Sequence, residues 1–455
     1  MTAHPADSAI FGHLWSTAET HAIFDDEARI QSWLEILAAL AEAQADVGLV
    51  PRDAAAAIRG AADVTGIDLD SVAAQTRSTG HSTLGLIRAV QEVLPEHARE
   101  WVYYGATVQD ISDTWGALVS RRVGELFVRD VTGMRDAALE LAIRHRDTPM
   151  CGRTHGQPGL PITFGFKAAV WAAELDRQLC RLAEGRVRWE VVQLGGALGT
   201  MEFWGTAAID LLEVFAARLD LAAPEICWLT ARDRVAEFIG LLASTAATIA
   251  KIGNEVYQLQ RPEIGELREG FRSGTVGSIT MPHKRNPERS EQLVSLSRIV
   301  RAQAGLALEG MVSEHERDGR AWKTEWVLLP EACLAFATAA EMGVAMLRGL
   351  DVDAERMAAN IAGHDGYLQS EPVMRALADR VGKHTAHHVV YEAAMKGIES
   401  GEDFHSALRA DPRLDGIAEP ELTGLLDVRA ALGASAEFVD RVARTVRERS
   451  GGAGT

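Results

Sequence analysis

The sequence predicts an all-α protein organised around a bundle of long helices. Three observations carry that reading. Apolar residues recur at steps of three and four over long segments, no alternating apolar and polar run with hairpin turn chemistry persists, and many of the helical segments are rich in alanine and apolar on more than one face. A length of 455 residues exceeds what one compact core serves, so two or three structural units are expected.

The elements follow in order. Ile30, Trp33, Leu34, Leu37, Leu40, Ala41 and Ala45 line one side of a helix for which Asp25 or Asp26 is the N-cap. Comparable patterns cover roughly 165–187 and 205–220. Val235, Phe238, Ile239, Leu242, Ile249, Ile252, Val256 and Leu259 extend a longer helix that Pro262 must end, and further helical patterns lie near 290–312 and 328–349. The clearest breaks are a turn from Tyr104 to Thr107, the segment Cys151 to Pro161, the glycine-rich stretch Gly265 to Gly277, and the tail Gly451-Gly452-Ala453-Gly454, which is expected to be unstructured. No internal repeat is visible.

Composition narrows the function classes. The 47% hydrophobic and 24% charged fractions suit a folded globular chain rather than a disordered one. Lys plus Arg number 46 against 64 for Asp plus Glu, a formal net charge of -18, and no dense basic run occurs; nucleic acid and anionic membrane are therefore poor partners, and neither is expected. A small dicarboxylate is not excluded, because a few cations and helix N-termini can be concentrated where it sits. Cys151, Cys180, Cys227 and Cys333 are scattered with no CxxC pair, so reduced thiols are expected, with Cys151 a packing residue. The N-terminus lacks a basic segment followed by an apolar core, and no stretch reads as apolar long enough to cross a bilayer; a cytoplasmic location is expected. His387-His388 lacks metal-ligand spacing, and neither metal nor cofactor is expected.

The segment richest in chemistry reads Ser273-Gly274-Thr275-Val276-Gly277-Ser278-Ile279-Thr280-Met281-Pro282-His283-Lys284-Arg285-Asn286-Pro287. A glycine-containing loop runs into a turn stiffened by two prolines, bringing a hydroxyl, a lysine and an amide within a few residues. Taken alone, the pattern also suits a solvated linker. The segment resembles the signature of the fumarase/aspartase superfamily, Gly-Ser-Ser-x-Met-Pro-x-Lys-x-Asn-Pro, with Ile279 at the second serine. The resemblance implies that Ser278 is the general base, that Lys284 and Asn286 hold a substrate carboxylate, and that Met281 lines the same site. Serine acts as a base only where N–H groups and cations stabilise its alkoxide away from water.

Two further regions are similar to the same superfamily. Gly152-Arg153-Thr154-His155-Gly156-Gln157-Pro158 resembles the region in which Thr154 and His155 contact substrate, with His155 as general acid toward the leaving group. Gly105-Ala106-Thr107-Val108-Gln109-Asp110 resembles the region that grips a carboxylate at a helix start, with Thr107 and Gln109 as the contacts and Val108 in place of the usual serine. Here Thr107 and Asp110 also read as simple helix caps. Ser78-Thr79-Gly80-His81-Ser82 aligns with a substrate-binding turn, which implicates His81 and Ser82, and Arg317 in Glu314-His315-Glu316-Arg317-Asp318 reads equally as a bidentate carboxylate clamp or an ordinary surface ion pair.

The resemblance runs from Phe11-Gly12-His13-Leu14-Trp15 to the C-terminal helices. It implies a helical N-terminal domain at 1–105, a central long-helix bundle carrying the catalytic loop at 106–348, a helical C-terminal domain at 349–455, and a homotetramer in which several subunits build each site. The Arg-Tyr and Ser-Ser-x-x-Arg of the adenylosuccinate lyase branch are missing. Gly319-Arg320-Ala321-Trp322-Lys323-Thr324-Glu325-Trp326 is more similar to bacterial 3-carboxy-cis,cis-muconate cycloisomerase. His81, the Thr107-Val108-Gln109 variant and Ile279 depart from that branch, as a specialised paralogue would. The expected activity is β-elimination from a succinyl-type substrate to give fumarate by C–N cleavage, nitrosuccinate or an N-substituted aspartate being the examples. The alternatives are the cycloisomerase reaction and, in another class, a non-catalytic structural protein with a lyase fold.

Overall fold

The computed structural model describes residues 4–271, 274 and 276–452. Among them eight helices of 18 residues or more set the frame: α1 (Asp26–Asp46), α2 (Val108–Arg144), α3 (Phe164–Trp189), α4 (Asp233–Leu259), α5 (Glu288–Gly310), α6 (Gly319–Arg348), α7 (Lys383–Ser400) and α8 (Ser435–Gly452). The all-α prediction holds.

Local chemistry explains the boundaries. The Asp25 carboxylate accepts the Ala28 N–H at 2.7 Å, and Asp26 and Glu27 add negative charge to the first turn of α1, where the helix dipole favours it. The predicted stripe of Trp33, Leu34, Leu37, Leu40 and Ala41 is buried. α4 stops before Pro262 as its sequence requires. α6 begins at Gly319 rather than near 328 and carries Pro330 inside. The proline removes one helical hydrogen bond, and burial of Leu328, Leu329, Ala332, Cys333 and Phe336 around it outweighs that loss. At the other end, α8 continues through Gly451 and Gly452, against the expectation of an unstructured tail; Ala453 and Gly454 lie outside the described residues.

The expectation that no segment could span a bilayer needs correction. α4 and α6 are both long and apolar enough to do so by length and composition, but 67% of each apolar window is buried inside the protein. Their apolarity serves the core.

Residue contacts divide the chain into two compact units: Met1–Asp130, Gln178–Ile249 and Val294–Glu341 form one, and Val131–Arg177, Ala250–Leu293 and Met342–Thr455 form the other. The division falls within α2, α3, α4, α5 and α6, so each of these helices contributes to both. In the first unit Phe127 stacks on Phe336 with ring centroids 5.1 Å apart, and Trp326 meets Trp33 and Trp322 edge to face.

The second unit holds an element that helical periodicity does not announce. Strands β1 (Pro149–Thr154) and β2 (Gln157–Thr163) pair antiparallel, joined by the two-residue turn His155-Gly156. Both turn residues have positive φ, 52° and 76°, as a type I′ hairpin demands. The alternation is hidden because Met150, Cys151 and Gly152 are all buried in succession, and the register shifts at Gly152, where a Cβ would lie 2.6 Å from the Leu160 carbonyl oxygen. Strands β3 (Leu267–Arg268) and β4 (Asp351–Val352) form a second, very short pair. A separate apolar cluster of Val373, Leu377, Val389, Phe404, Leu408 and Leu422 organises the C-terminal helices. Cys151 packs as expected, and burial pushes its thiol up, away from thiolate chemistry.

Candidate active site

In the first unit Thr107, Gln109 and Arg317 lie at the start of α2. The Thr107 N–H donates to Asp110 Oδ2 at 2.9 Å, the return arm of a capping box. Asp110 does more than cap: Oδ1 also accepts the Gly195 N–H at 2.8 Å and Gln193 Nε2 at 3.3 Å, and Oδ2 the Gly196 N–H at 3.1 Å. It ties the helix start to the 193–196 segment. Burial pushes its carboxyl up to about 6, although these four donors pull the other way.

A raised carboxyl has a stability consequence. The folded state binds this proton more tightly than the unfolded chain, so the contribution is full below about pH 4 and is lost as pH rises through about 6. Relative to Asp110→Asn, the wild type is expected to lose about 3 kcal/mol between about pH 4 and about pH 7, since a proton held about a hundredfold more tightly by the folded chain is worth that much. Urea midpoints of the two proteins across that range measure it; parallel curves would contradict it.

The structure places Gln109 in the interior. It is 0% exposed, its amide nitrogen donates to Leu229 O at 2.8 Å and Asp113 Oδ2 at 3.2 Å, and its amide oxygen accepts from Arg317 Nε at 3.1 Å. A side chain so engaged is committed to the interior; it orients Arg317, which is half-buried and whose two outer nitrogens make no bond among the described residues. A planar fork held by its inner nitrogen is well placed to clamp a carboxylate. Tyr103, on which the sequence motifs are silent, hydrogen-bonds Thr107 and lies within the electrostatic reach of Arg317; burial raises its phenol. Its positive φ of 61° belongs to the turn that leads into α2.

His81 is exposed and Ser82 half-buried. His81 Nδ1 accepts from Thr83 N at 3.3 Å and Leu84 N at 3.2 Å, capping the helix Leu84–Val93. With Nδ1 as acceptor the neutral ring carries its proton on Nε2, facing away from the cap.

The second unit holds the other group. Thr154 and His155 are exposed at the hairpin tip. Ser278 Oγ accepts the Met281 N–H at 3.0 Å, and the Lys284 N–H donates to Met281 O at 2.9 Å, so two successive turns draw serine, methionine and lysine together. Gly277 allows this fold-back: a Cβ there would lie 2.6 Å from Lys284 O. Asn286 Nδ2 donates to Glu288 Oε1 at 3.3 Å at the start of α5. A backbone N–H aimed at a serine oxygen is the arrangement that stabilises an alkoxide. Ile279, at the usual second serine, is 94% exposed and makes no such contact.

Beneath Gln109 lies a buried ion triad that periodicity could not reveal. Arg232 is 1% exposed; it donates to Asp113 at 2.7 and 3.1 Å and to Glu325 on its other side. Burial opposes its charge, and the two carboxylates override that and raise it.

Known proteins are similar to this chain over most of its length. A family described as Lyase matches residues 15–301, which include the Thr107, His155 and Ser278 segments, and one described as Adenylosuccinate lyase C-terminus matches 366–442. The chain belongs to the fumarase/aspartase superfamily. Within that superfamily it is 37% identical to the N-acetyl-S-(2-succino)cysteine lyase of Dickeya dadantii, over 98% of each chain. It is 35% identical to the 3-carboxy-cis,cis-muconate cycloisomerase of Pseudomonas aeruginosa, over 97% of each. The 3-carboxy-cis,cis-muconate lactonizing enzyme of Pseudomonas putida superposes with a TM-score of 0.89 at 32% identity, covering 97% of this chain and 99% of the other. The superfamily resemblance and the adenylosuccinate lyase and cycloisomerase branch drawn from the motifs are thus established.

Proposed function

We propose that the protein catalyses β-elimination on a succinyl-type dicarboxylate to release fumarate, with Ser278 as general base. The observation that carries this is the turn that holds Ser278 Oγ on the Met281 N–H beside Lys284, within a fumarase/aspartase chain. Ser278 removes a proton from the carbon next to the one bearing the leaving group. The resulting carbanion delocalises into its carboxylate as an aci-carboxylate, stabilised by Lys284 and loop N–H groups. The electron pair then forms the double bond, and the bond to the leaving group breaks with its pair going to the leaving atom. Thr154, Asn286, Met281, Thr107, His81, Ser82 and Arg317 contribute binding, and His155 supplies a proton where the leaving group needs one.

Sulfur is the leaving atom this reading favours, in place of the nitrogen expected from the motifs. Support comes from relatives named N-acetyl-S-(2-succino)cysteine lyase at 37 and 39% identity. A thiolate is also a weaker base than an amine and departs with less help from an acid such as His155. The same proposal takes the enzyme to be a cytoplasmic homotetramer in which different chains complete each site. Exposed Leu306, Leu308, Met311 and Val312 at the end of α5 support a covered surface there.

The test is to follow fumarate absorbance while offering S-(2-succinyl) thiols, N-substituted aspartates, nitrosuccinate, adenylosuccinate and 3-carboxymuconate. Fumarate from the thioether with release of free thiol is the expected outcome. Fumarate from the nitrogen compounds alone moves the assignment to C–N cleavage. Loss of carboxymuconate absorbance without fumarate establishes the cycloisomerase, the second reading, which the Pseudomonas aeruginosa relative supports.

A further inference from the structure

A cavity of about 40 Å³ lies within the first unit, and none of the groups assigned to the elimination lines it. Six of the chain's ten tryptophans do: Trp33 from α1, Trp115 from α2, Trp189 at the end of α3, Trp228 ahead of α4, and Trp322 and Trp326 from α6. Two of these indoles commit their N–H to the fold, Trp228 Nε1 to Val192 O at 2.9 Å and Trp322 Nε1 to Ser112 Oγ at 3.0 Å. Trp33 and Trp189 do not: each is 3% exposed, and neither Nε1 has an acceptor among the described residues. Arg29 Nε, one turn before Trp33 on the same side of α1, is buried and equally unbonded. Three donors without an acceptor therefore border one cavity, and a buried donor left unpaired is destabilising until something accepts from it.

Three arginines line the cavity, and two of them are already matched: Arg232 by Asp113 and Glu325, Arg234 by Glu225 at 3.2 Å. Arg29 has no carboxylate at ion-pair distance among the described residues; burial lowers its guanidinium, and only Asp26 opposes that. The guanidinium lies 4.3 Å from the Trp115 ring centroid and 5.8 Å from that of Trp326, contacts that hold it in place but accept no hydrogen bond in the plane of its N–H groups. One unmatched cation calls for one negative charge. Size narrows the choice further. One water needs roughly 10–15 Å³ of such space, so the cavity has room for an anion of three or four non-hydrogen atoms. Arg29 and Trp326 are half-buried, which leaves a way in from the surface.

We infer that this cavity is a second ligand site, separate from the elimination site, which takes a small planar monoanion of acetate size whose oxygens accept from Arg29 and from the indole N–H groups of Trp33 and Trp189. The inference does not depend on the proposed reaction. The test titrates the tryptophan fluorescence of the full chain with sodium acetate at constant ionic strength. A saturable change with a midpoint of about 1 mM is expected, within what four non-hydrogen atoms can supply. Acetamide, the neutral molecule of the same shape, is expected to bind at least about tenfold more weakly, and so is acetate to Arg29→Met, since a hydrogen bond to a charged group is worth that factor or more. Gly116 lines the cavity within α2, and an added Cβ there would meet Leu329 Cδ2 at an ordinary 3.8 Å. Gly116→Met, a helix-compatible filling of the cavity, is expected to abolish the saturable change. Saturating fumarate is expected to leave the acetate midpoint where it was.

A fluorescence change that stays linear to 100-fold above the expected midpoint would overturn the inference. So would acetamide matching acetate, because the cavity would then not be reading charge. Undiminished acetate binding in Arg29→Met would place the ion elsewhere on the chain, and displacement by fumarate would place it on the carboxylate-binding groups at the start of α2; either result ends the proposal of a second site. Should Gly116→Met melt well below the wild type, Arg29→Met decides alone, since Arg29 forms no hydrogen bond through Nε whose loss could unfold the chain. A wild type that releases fumarate from no substrate offered would end the elimination reading and leave this one standing on the acetate titration.

Discussion

Ser278→Ala is expected to lower kcat for fumarate release by about a thousandfold, within the range of a lost general base, while KM changes little. The reasoning is local. Lys284 and Asn286, the carboxylate partners in the proposed reaction, are untouched by the substitution, whereas alanine offers no atom to receive the proton. On the proposed mechanism the N–H of Met281, 3.0 Å from Oγ, is the group that stabilises the alkoxide. Losing that bond also removes one turn contact, a cost of about 1 kcal/mol, so the variant should remain folded. Steady-state kinetics with fumarate as readout measures the effect. Wild-type kcat in the folded variant would place the base elsewhere, and a wild type and variant equally silent toward every substrate would favour the non-catalytic alternative.

Arg232→Met is expected to cost about 3–5 kcal/mol of stability, the penalty for stripping one partner from a buried ion pair. Arg232 is 1% exposed and Asp113 3%, so neither the arginine nor its partner has water in reserve. Without the guanidinium, Asp113 and Glu325 face each other in a poorly solvated space, where burial already raises Glu325. The loss should show as a lower urea midpoint with an unchanged slope. A consequence for the site follows, because Asp113 accepts from Gln109 and Gln109 orients Arg317. Replacing Arg232, Asp113 and Glu325 together with apolar residues of similar volume should recover most of the stability but not the alignment of Arg317. A midpoint within experimental error of the wild type in Arg232→Met would show that the triad is solvated and the network unimportant.

The legible parts of this protein are those that a helix writes into spacing. The stripe of α1, its Asp25 cap and the stop of α4 before Pro262 can be read because a repeat near 3.6 residues and a missing N–H are local properties. The hairpin escapes for the opposite reason. Its strands are buried by neighbours distant in sequence, its bulge breaks the alternation, and its turn is His155-Gly156 rather than a more familiar pair. The true start of α6 is obscured by Pro330, whose local preference loses to packing on both sides.

The sequence by itself determined the helical class and the superfamily, and it singled out Ser278, Lys284 and Asn286 as candidates, since these depend on residue types at short fixed spacings. Only the tertiary structure decided which predicted groups face outward. It placed Gln109 in the interior as the support of Arg317, turned His81 Nδ1 onto a helix start, and joined Arg153 to Glu266 across a long stretch of chain. Burial and pairing between residues far apart in sequence settle those matters, and no local pattern encodes them.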